Sequence, residues 1–340
     1  MPQPRLEVTR EQIVAFRRTA TGLDERLPMR PDSLRRAAWA GLTDSMPRAA
    51  VLQIHARVEG TQPMTWADPA LVQLWGPRFS VYVVAKEDLA VFSLGRHTES
   101  GSSRRRAEDL AVRLHAETKG EKVLHDDAGS LVGVHPNALR YAAPTGTVLI
   151  RWAGARQATV WTVPRPSMDV REARLELARR FLHVFGPTTA SSFAEWAGIG
   201  VPDASAAFDG LARELAPVRT PIGDAWVLAD DETTLRSPAA PGTGVRLLPS
   251  GDAFYLLWGA DRELLVPDAA RRAALWTSRV WPGAVLLDGE VVGVWRRAGP
   301  SFTIETWRRL TGADRDLVAA EAASLPLPGV EGRVRVTWGG

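Results

Sequence analysis

Apolar side chains in the N-terminal part of the chain fall at helical spacing, in runs bounded by capping residues. Thr9 and Gln12 form a capping box ahead of a helix that carries Ile13 and Phe16. Residues 21–31 are a loop with Pro28 and Pro31. Asp32 or Ser33 starts a second helix, and Gly41 ends it, where a positive φ is usual. A third helix covers about 45–59. Asp44 or Ser45 caps it, Pro47 is tolerated in its first turn, and Ala50, Val51, Ile54 and Val58 recur as one apolar face. Arg48, Gln53, His55 and Arg57 are left for other faces, which read either as a solvated polar side or as a surface for nucleic acid. Asp68-Pro69 opens a short helix through Trp75, and the β-rich run 79–84 is a strand. Helices followed by a strand give the order of a winged-helix unit.

The same order then recurs. Residues 96–106 read as a mobile linker, with Arg104, Arg105 and Arg106 either solvated at a helix start or in contact with phosphate. A helix at about 103–118 is closed by Gly120, residues 121–134 favour no single element, and Pro136 fits the first turn of a short helix over 136–143. Runs 147–152 and 157–163 flank Ala153-Gly154 as a β-hairpin, with Arg140, Arg151 and Arg156 on or beside it. Asp169 and Glu172 form another capping box, and Leu177, Ala178, Phe181 and Phe185 supply the apolar face of a helix stopped by Gly186-Pro187. Two short helices follow, over 189–197 and from Pro202, and then a hairpin over 218–228 that turns at Gly223-Asp224. The last of these helices carries Asp203, Asp209 and Glu214 against Arg213 alone. A helix lying in the major groove should be basic or amide-rich, so this unit reads as scaffold.

Past a linker at 230–244 the period becomes two. Strands are predicted at 245–248, 284–287, 291–295, 302–307 and 333–338, with helical patches near 268–278 and 313–323. The fold class expected is therefore α+β: tandem winged-helix units at about 1–100, 101–166 and 167–230, then a β-rich, barrel-like domain over 245–340.

Composition narrows the chemistry. At 340 residues several domains are expected. No apolar run is long enough to span a membrane and no secretory signal opens the chain, so a cytoplasmic, monomeric protein is expected. With no cysteine, disulfides, Cys-based zinc sites and thiol nucleophiles are excluded. The basic residues are nearly all Arg, the lysines being Lys86, Lys119 and Lys122. Arg suits bidentate contact with phosphate and guanine, although GC-rich coding gives the same bias. The six histidines are scattered. His125 with Asp126 and Asp127 reads as a solvated turn, His183 as a core or interface residue, and neither a metal nor a cofactor is expected. There is no phosphate-binding glycine loop, and the Gly242-x-Gly244 pair sits in the linker.

Five stretches, 41–57 (GLTDSMPRAAVLQIHAR), 71–84, 140–152, 173–199 and 247–267 with 286–297, share their order and content with one family. The chain resembles the winged-helix DNA-binding family that includes the AlkZ and YcaQ DNA glycosylases. The resemblance implies tandem winged helices forming a curved channel for double-stranded DNA. It also implies hydrolysis of the N-glycosidic bond of alkylated or crosslinked purines. Active members carry Gln-x-Gln or Gln-x-Asp, and the matched register places that motif on Thr43-Asp44-Ser45. Thr and Ser are too short to position water as a Gln amide does. Asp44 is the one carboxylate there, either a base or electrostatic stabiliser or, as Asp favours, a helix cap. Gln53-Ile54-His55 repeats the motif text ten residues later, out of register, and His55 with Glu59 reads as a surface pair. Tyr82 stands where many relatives are expected to have histidine, and Arg78 keeps the pattern's arginine. DNA contact is expected from Arg48, Arg57, Arg78, Arg140 and Arg151, with Gln53, His55 and Tyr82 beside them. Three functions follow: a repair glycosylase, a DNA binder without catalysis, or a transcription regulator. The acidic helix near 203–215 argues against the third, and Thr43 and Ser45 favour the second over the first.

Overall fold

Strand β1 (Leu6–Glu7) and helix α1 (Arg10–Ala20) come first, and Thr9 caps α1 through both halves of its capping box. The computed structural model describes residues 6–44, 48–153, 156–330 and 332–339. Ser45 and Pro47 of the expected cap, and Gly154 of the expected hairpin turn, lie outside them.

After α2 (Pro31–Ala37), Gly41 at φ 75° turns the chain into β2 (Leu42–Thr43). Helix α3 (Ala49–Arg57) follows, then β3 (Leu71–Trp75), β4 (Val81–Ala85) and α4 (Leu89–Leu94). The sheet order is β2-β4-β3. The short helix expected through Trp75 is replaced by a 3-10 turn, Thr65–Ala67, and β3. A helix of that length gains little by itself, whereas Val72 and Leu74 pair across to Val84 and Tyr82 on β4.

Helix α3 also departs from expectation. Every one of its residues is buried, so it has no solvated side. Ala50, Ile54 and Val58 pack with Leu34, Leu42 and Val83. Val51 and Leu52 pack instead with Leu247, Val285 and Phe302 of the C-terminal sheet. A helix buried all round cannot be read as amphipathic from its spacing.

The second segment holds α5 (Gly101–Thr118), β5 (Val123–Leu124), α6 (His125–Leu131), a 3-10 segment Pro136–Thr145, β6 (Val148–Arg151) and β7 (Thr159–Thr162), with sheet order β5-β7-β6. Residues 96–106 are not a linker: Arg96 and His97 are buried and α5 takes in Arg104, Arg105 and Arg106.

Helices α7 (Val170–Phe185), α8 (Ala190–Ala197) and α9 (Val201–Gly210) lead to the hairpin β8 (Leu215–Thr220) and β9 (Gly223–Leu228). Its turn is Pro221-Ile222, just ahead of the expected Gly223-Asp224. Strand β1 adds to β8 in parallel, with Leu6 opposite Val218. Ile13 and Phe16 of α1 pack with Val218, Val227, Leu235 and Leu264, so the start of the chain sits with its third segment.

Helix α10 (Glu232–Arg236) fills part of the expected linker. Beyond it come β10 (Val245–Leu248), α11 (Asp261–Leu265), α12 (Ala269–Leu275), β11 (Gly283–Leu287), β12 (Glu290–Ala298), β13 (Ser301–Thr306), α13 (Gly312–Ser324) and β14 (Arg335–Trp338). The five strands form one sheet in the order β10-β11-β12-β13-β14. It is open, with β10 and β14 at its edges, and not the barrel-like form expected. Val318 and Ala322 of α13, with Val51 and Leu52 of α3, cover the apolar face that closure would otherwise bury. The fold is mixed α+β. Among the described residues no helix is long and apolar enough to cross a membrane.

Candidate functional site

Successive side chains of a strand point to opposite faces, and at β2 this separates Thr43 from Asp44. Asp44 lies fully buried, with its amide bonded to the Val81 carbonyl at 2.8 Å. Its Oδ1 accepts from the Ala50 amide at 3.1 Å, so it caps the first turn of α3 from upstream. Its Oδ2 accepts from Gln73 Nε2 at 2.7 Å and lies 3.3 Å from Arg48 Nη1. Burial pushes the Asp44 pKa up to about 6, against the opposing pull of Arg48, the Ala50 amide and Gln73.

Arg48 and Gln73 carry this cluster to the second segment. Arg48 takes a left-handed backbone, φ 67°, and donates to the Trp152 carbonyl. Gln73 Oε1 accepts from the Trp152 amide at 2.7 Å. The guanidinium of Arg48 lies 3.8 Å from the centre of the Trp66 ring, and that of Arg151 lies 4.1 Å from it. The indole face offsets part of the cost of bringing two cations together.

Thr43 faces a cleft of about 390 Å³ shared with Arg78, Tyr82, Ser250, Trp258, Arg279 and Trp281. Its hydroxyl donates to the Gly251 carbonyl at 2.9 Å, and Gln53 Nε2 donates to the Thr43 carbonyl at 2.7 Å. A Cβ at Gly251 would stand 2.5 Å from the Thr43 hydroxyl, so this approach requires glycine. The Tyr82 ring is wedged between Gly41 and Gly76, where added Cβ atoms would come within 2.9 and 2.8 Å of it. Burial raises the Tyr82 phenol pKa, so the group is neutral. Arg78 and Phe79 both hold positive φ, which turns the β3–β4 connection so that Arg78 reaches within 5.3 Å of the Trp258 ring centre. Among the described residues lining this cleft there is no carboxylate and no side-chain amide. Its chemistry is cationic and aromatic, suited to phosphate contact and base stacking.

The loop that carries Gly251 is clamped from behind. Arg57 binds Asp252 through both carboxylate oxygens, each at 2.8 Å, and also donates to Thr21 O at 2.6 Å and Gln53 O at 3.0 Å. Both members of the pair are buried.

The sequence-predicted residues therefore separate. Thr43, Arg78 and Tyr82 share the cleft. Arg48 and Arg151 meet at Trp66, with Asp44 behind them. The expected DNA contacts from Gln53, His55 and Arg57 do not fit their positions, because all three are buried and bonded within the protein. In place of a surface pair with Glu59, His55 Nε2 meets Ser324 Oγ at 3.1 Å. Burial and Arg26 lower its pKa to about 4, so it is neutral near pH 7. Arg140 stands apart, 5.2 Å from the Tyr141 ring centre. Ser45 lies outside the described residues. Sequence reasoning missed Trp66, Gln73, Asp252, Trp258, Arg279 and Trp281. Several of these come from irregular segments whose return to β2 no periodicity signals.

No curated protein matches the chain. Among solved structures, the Streptomyces sahachiroi DNA glycosylase AlkZ is similar at 20% identity, with 98% of this chain and 100% of that chain covered and a TM-score of 0.79. This likeness shows a shared fold. The family model described as DNA glycosylase AlkZ-like matches residues 34–326. A match over that much of its length shows that the chain belongs to the AlkZ-like DNA glycosylase family.

Proposed function

We propose that this protein binds damaged double-stranded DNA through tandem winged-helix units at about 1–100, 101–166 and 167–230. In this proposal the cleft at Thr43 receives a nucleotide carrying an alkylated or crosslinked purine. Family membership supports the reaction class. The cationic, aromatic lining of the cleft supports the substrate. Arg78 and Arg151 supply the phosphate contacts and Arg140 extends them along the second segment, while Arg48 is buried and bonded to Asp44 and Trp152 within the protein.

Excision breaks the bond from C1′ to the purine nitrogen, the base leaves with the electron pair, and water adds at C1′ and loses a proton. An N7-alkylated purine is a cationic leaving group and needs little general acid. What remains is to orient the water and stabilise the oxocarbenium-like sugar. The observation that carries our reading is the hydroxyl of Thr43, which faces the cleft and is bonded to Gly251 O; in this proposal the sequence register sets Thr43 at the family's first glutamine position. Asp44 faces the other way. Loss of one placed polar stabiliser costs about 10²–10³ in rate, so excision of simple N7-methylguanine is weak or absent. This favours DNA binding with little catalysis over an efficient glycosylase.

The test is base release from duplex DNA containing N7-methylguanine. The paired change Thr43→Gln and Ser45→Gln should raise release, and Asp44→Asn should leave it unaltered. Robust release by the natural protein, insensitive to substitutions at 43, 44 and 45, would place the catalytic groups elsewhere.

A further inference from the structure

A second cavity, of about 550 Å³, lies between α5, the 3-10 segment and the α8–α9 turn, away from Thr43. Its walls include Phe79, Ala107, Leu110, Tyr141 and Ile199, and the Phe79 and Tyr141 rings meet edge to face at 5.1 Å. Arg96 lines this cavity and is only 4% exposed. Its Nε donates to Ala197 O and its Nη1 to Trp75 O, each at 2.9 Å. The buried Nη2 has no hydrogen-bond partner, and no carboxylate among the described residues pairs with the guanidinium. Glu108, the nearby acid, instead answers Arg104 at 3.0 Å and His97 at 3.5 Å.

Two carbonyls satisfy some of the Arg96 donors but leave its charge without a counter-ion. The Phe79 ring, 4.7 Å away, offsets part of that cost and offers no acceptor. Burial lowers the Arg96 pKa to about 9, so the group is a cation at neutral pH.

We propose that this cavity is a binding site for a small aromatic carboxylate, whose anion meets Arg96 and whose ring lies among Phe79, Leu110 and Tyr141. Arg106 and Arg113 also line the cavity, so charge alone does not choose the anion; the Phe79, Leu110 and Tyr141 walls favour an aromatic carboxylate over a bare phosphate, which has no apolar surface to set against them. Arg96 is only 4% exposed, so a phosphate held in a duplex backbone does not reach it. The volume is that of ordinary small-molecule pockets. The proposal goes beyond the DNA reading and does not depend on it.

The experiment is calorimetric titration of the full chain with 2-naphthoate, with its neutral analogue 2-naphthamide, and with inorganic phosphate. Naphthoate should bind at one site and naphthamide at least tenfold more weakly. Phosphate and a short DNA duplex should not displace naphthoate. Ala138→Trp fills the cavity from its wall without touching Arg96 and should abolish binding. Arg96→Gln should do the same, and if it fails to fold, Ala138→Trp decides. Equal affinity for acid and amide, unchanged binding by Ala138→Trp, displacement by phosphate or DNA, or no binding of naphthoate would each overturn the assignment.

Discussion

Asp44 is fully buried with a protein partner at each oxygen, so it is shielded from a water at C1′. Its charge has a measurable effect on stability instead. The folded-state pKa of about 6 lies above the ordinary carboxyl value of 3.8, so between these values the folded chain holds its proton more firmly than the unfolded one. The contribution is fully present below the lower value and is lost as pH rises through the upper one. Melting curves of the natural protein and Asp44→Asn from pH 4 to 8 should show the natural protein losing ground across that window, by about 3 kcal/mol at most, then running parallel. His55 works in the opposite sense. Its folded pKa of about 4 lies below the ordinary imidazole value of 6.5, so its contribution holds above the higher value and is lost as pH falls through the lower. The cap role of Asp44 was legible in sequence because Asp favours caps. The inward turn of Gln53 was not: the Ala50, Val51, Ile54 and Val58 face left it looking outward, and α3 has no outward side.

At the scale of elements, α3 is the wedge between the first sheet and the C-terminal one, and Arg57–Asp252 is its bolt. Removing one member leaves a buried charge without its partner, so Asp252→Ala should destabilise the fold by about 3–5 kcal/mol. The paired change Arg57→Met with Asp252→Leu should be far milder, and chemical denaturation would compare them. If the single and the double change cost the same, the pair is not a buried ionic clamp. The hairpin β6–β7 could be read from the sequence to within two residues, whereas β8 begins three residues before the expected start and its turn falls two residues early. Strand β3 could not be read, because LVQLW is short and its pairing with β4 rests on a turn at Arg78 and Phe79 that needs positive φ at two residues other than glycine. The run at 96–106 looked polar enough for a linker, yet the carbonyls of Trp75 and Ala197 draw Arg96 inside.

For the whole molecule, net charge is only +3, so any attraction to DNA must come from where the arginines lie. Binding to a duplex should weaken steeply with salt, each neutralised phosphate adding about 0.9 to the slope of log affinity against log salt. Arg78→Met and Arg151→Met should each lower that slope by about one, whatever the DNA sequence. Arg57→Met should not lower it, because Arg57 is internal. Slopes unaffected by Arg78 and Arg151 would remove both from the proposed channel. The α+β class was legible in the change of period past residue 244. The open form of the last sheet was not, because it depends on α3 and α13 covering one face, and neither helix is adjacent to β10 in sequence.

The pairing of Leu6 with Val218 also has a consequence in time. A ribosome adding roughly 5–20 residues each second would complete β8 roughly 10–40 s after β1. Throughout that interval Ile13 and Phe16 lack the Val218 and Val227 side chains they finally rest against. The α1 region is thus among the last to find its place, although it is made long before its partners. A nascent chain stalled before residue 215 should present the α1 region to chaperones and proteases, and one released after residue 228 should conceal it.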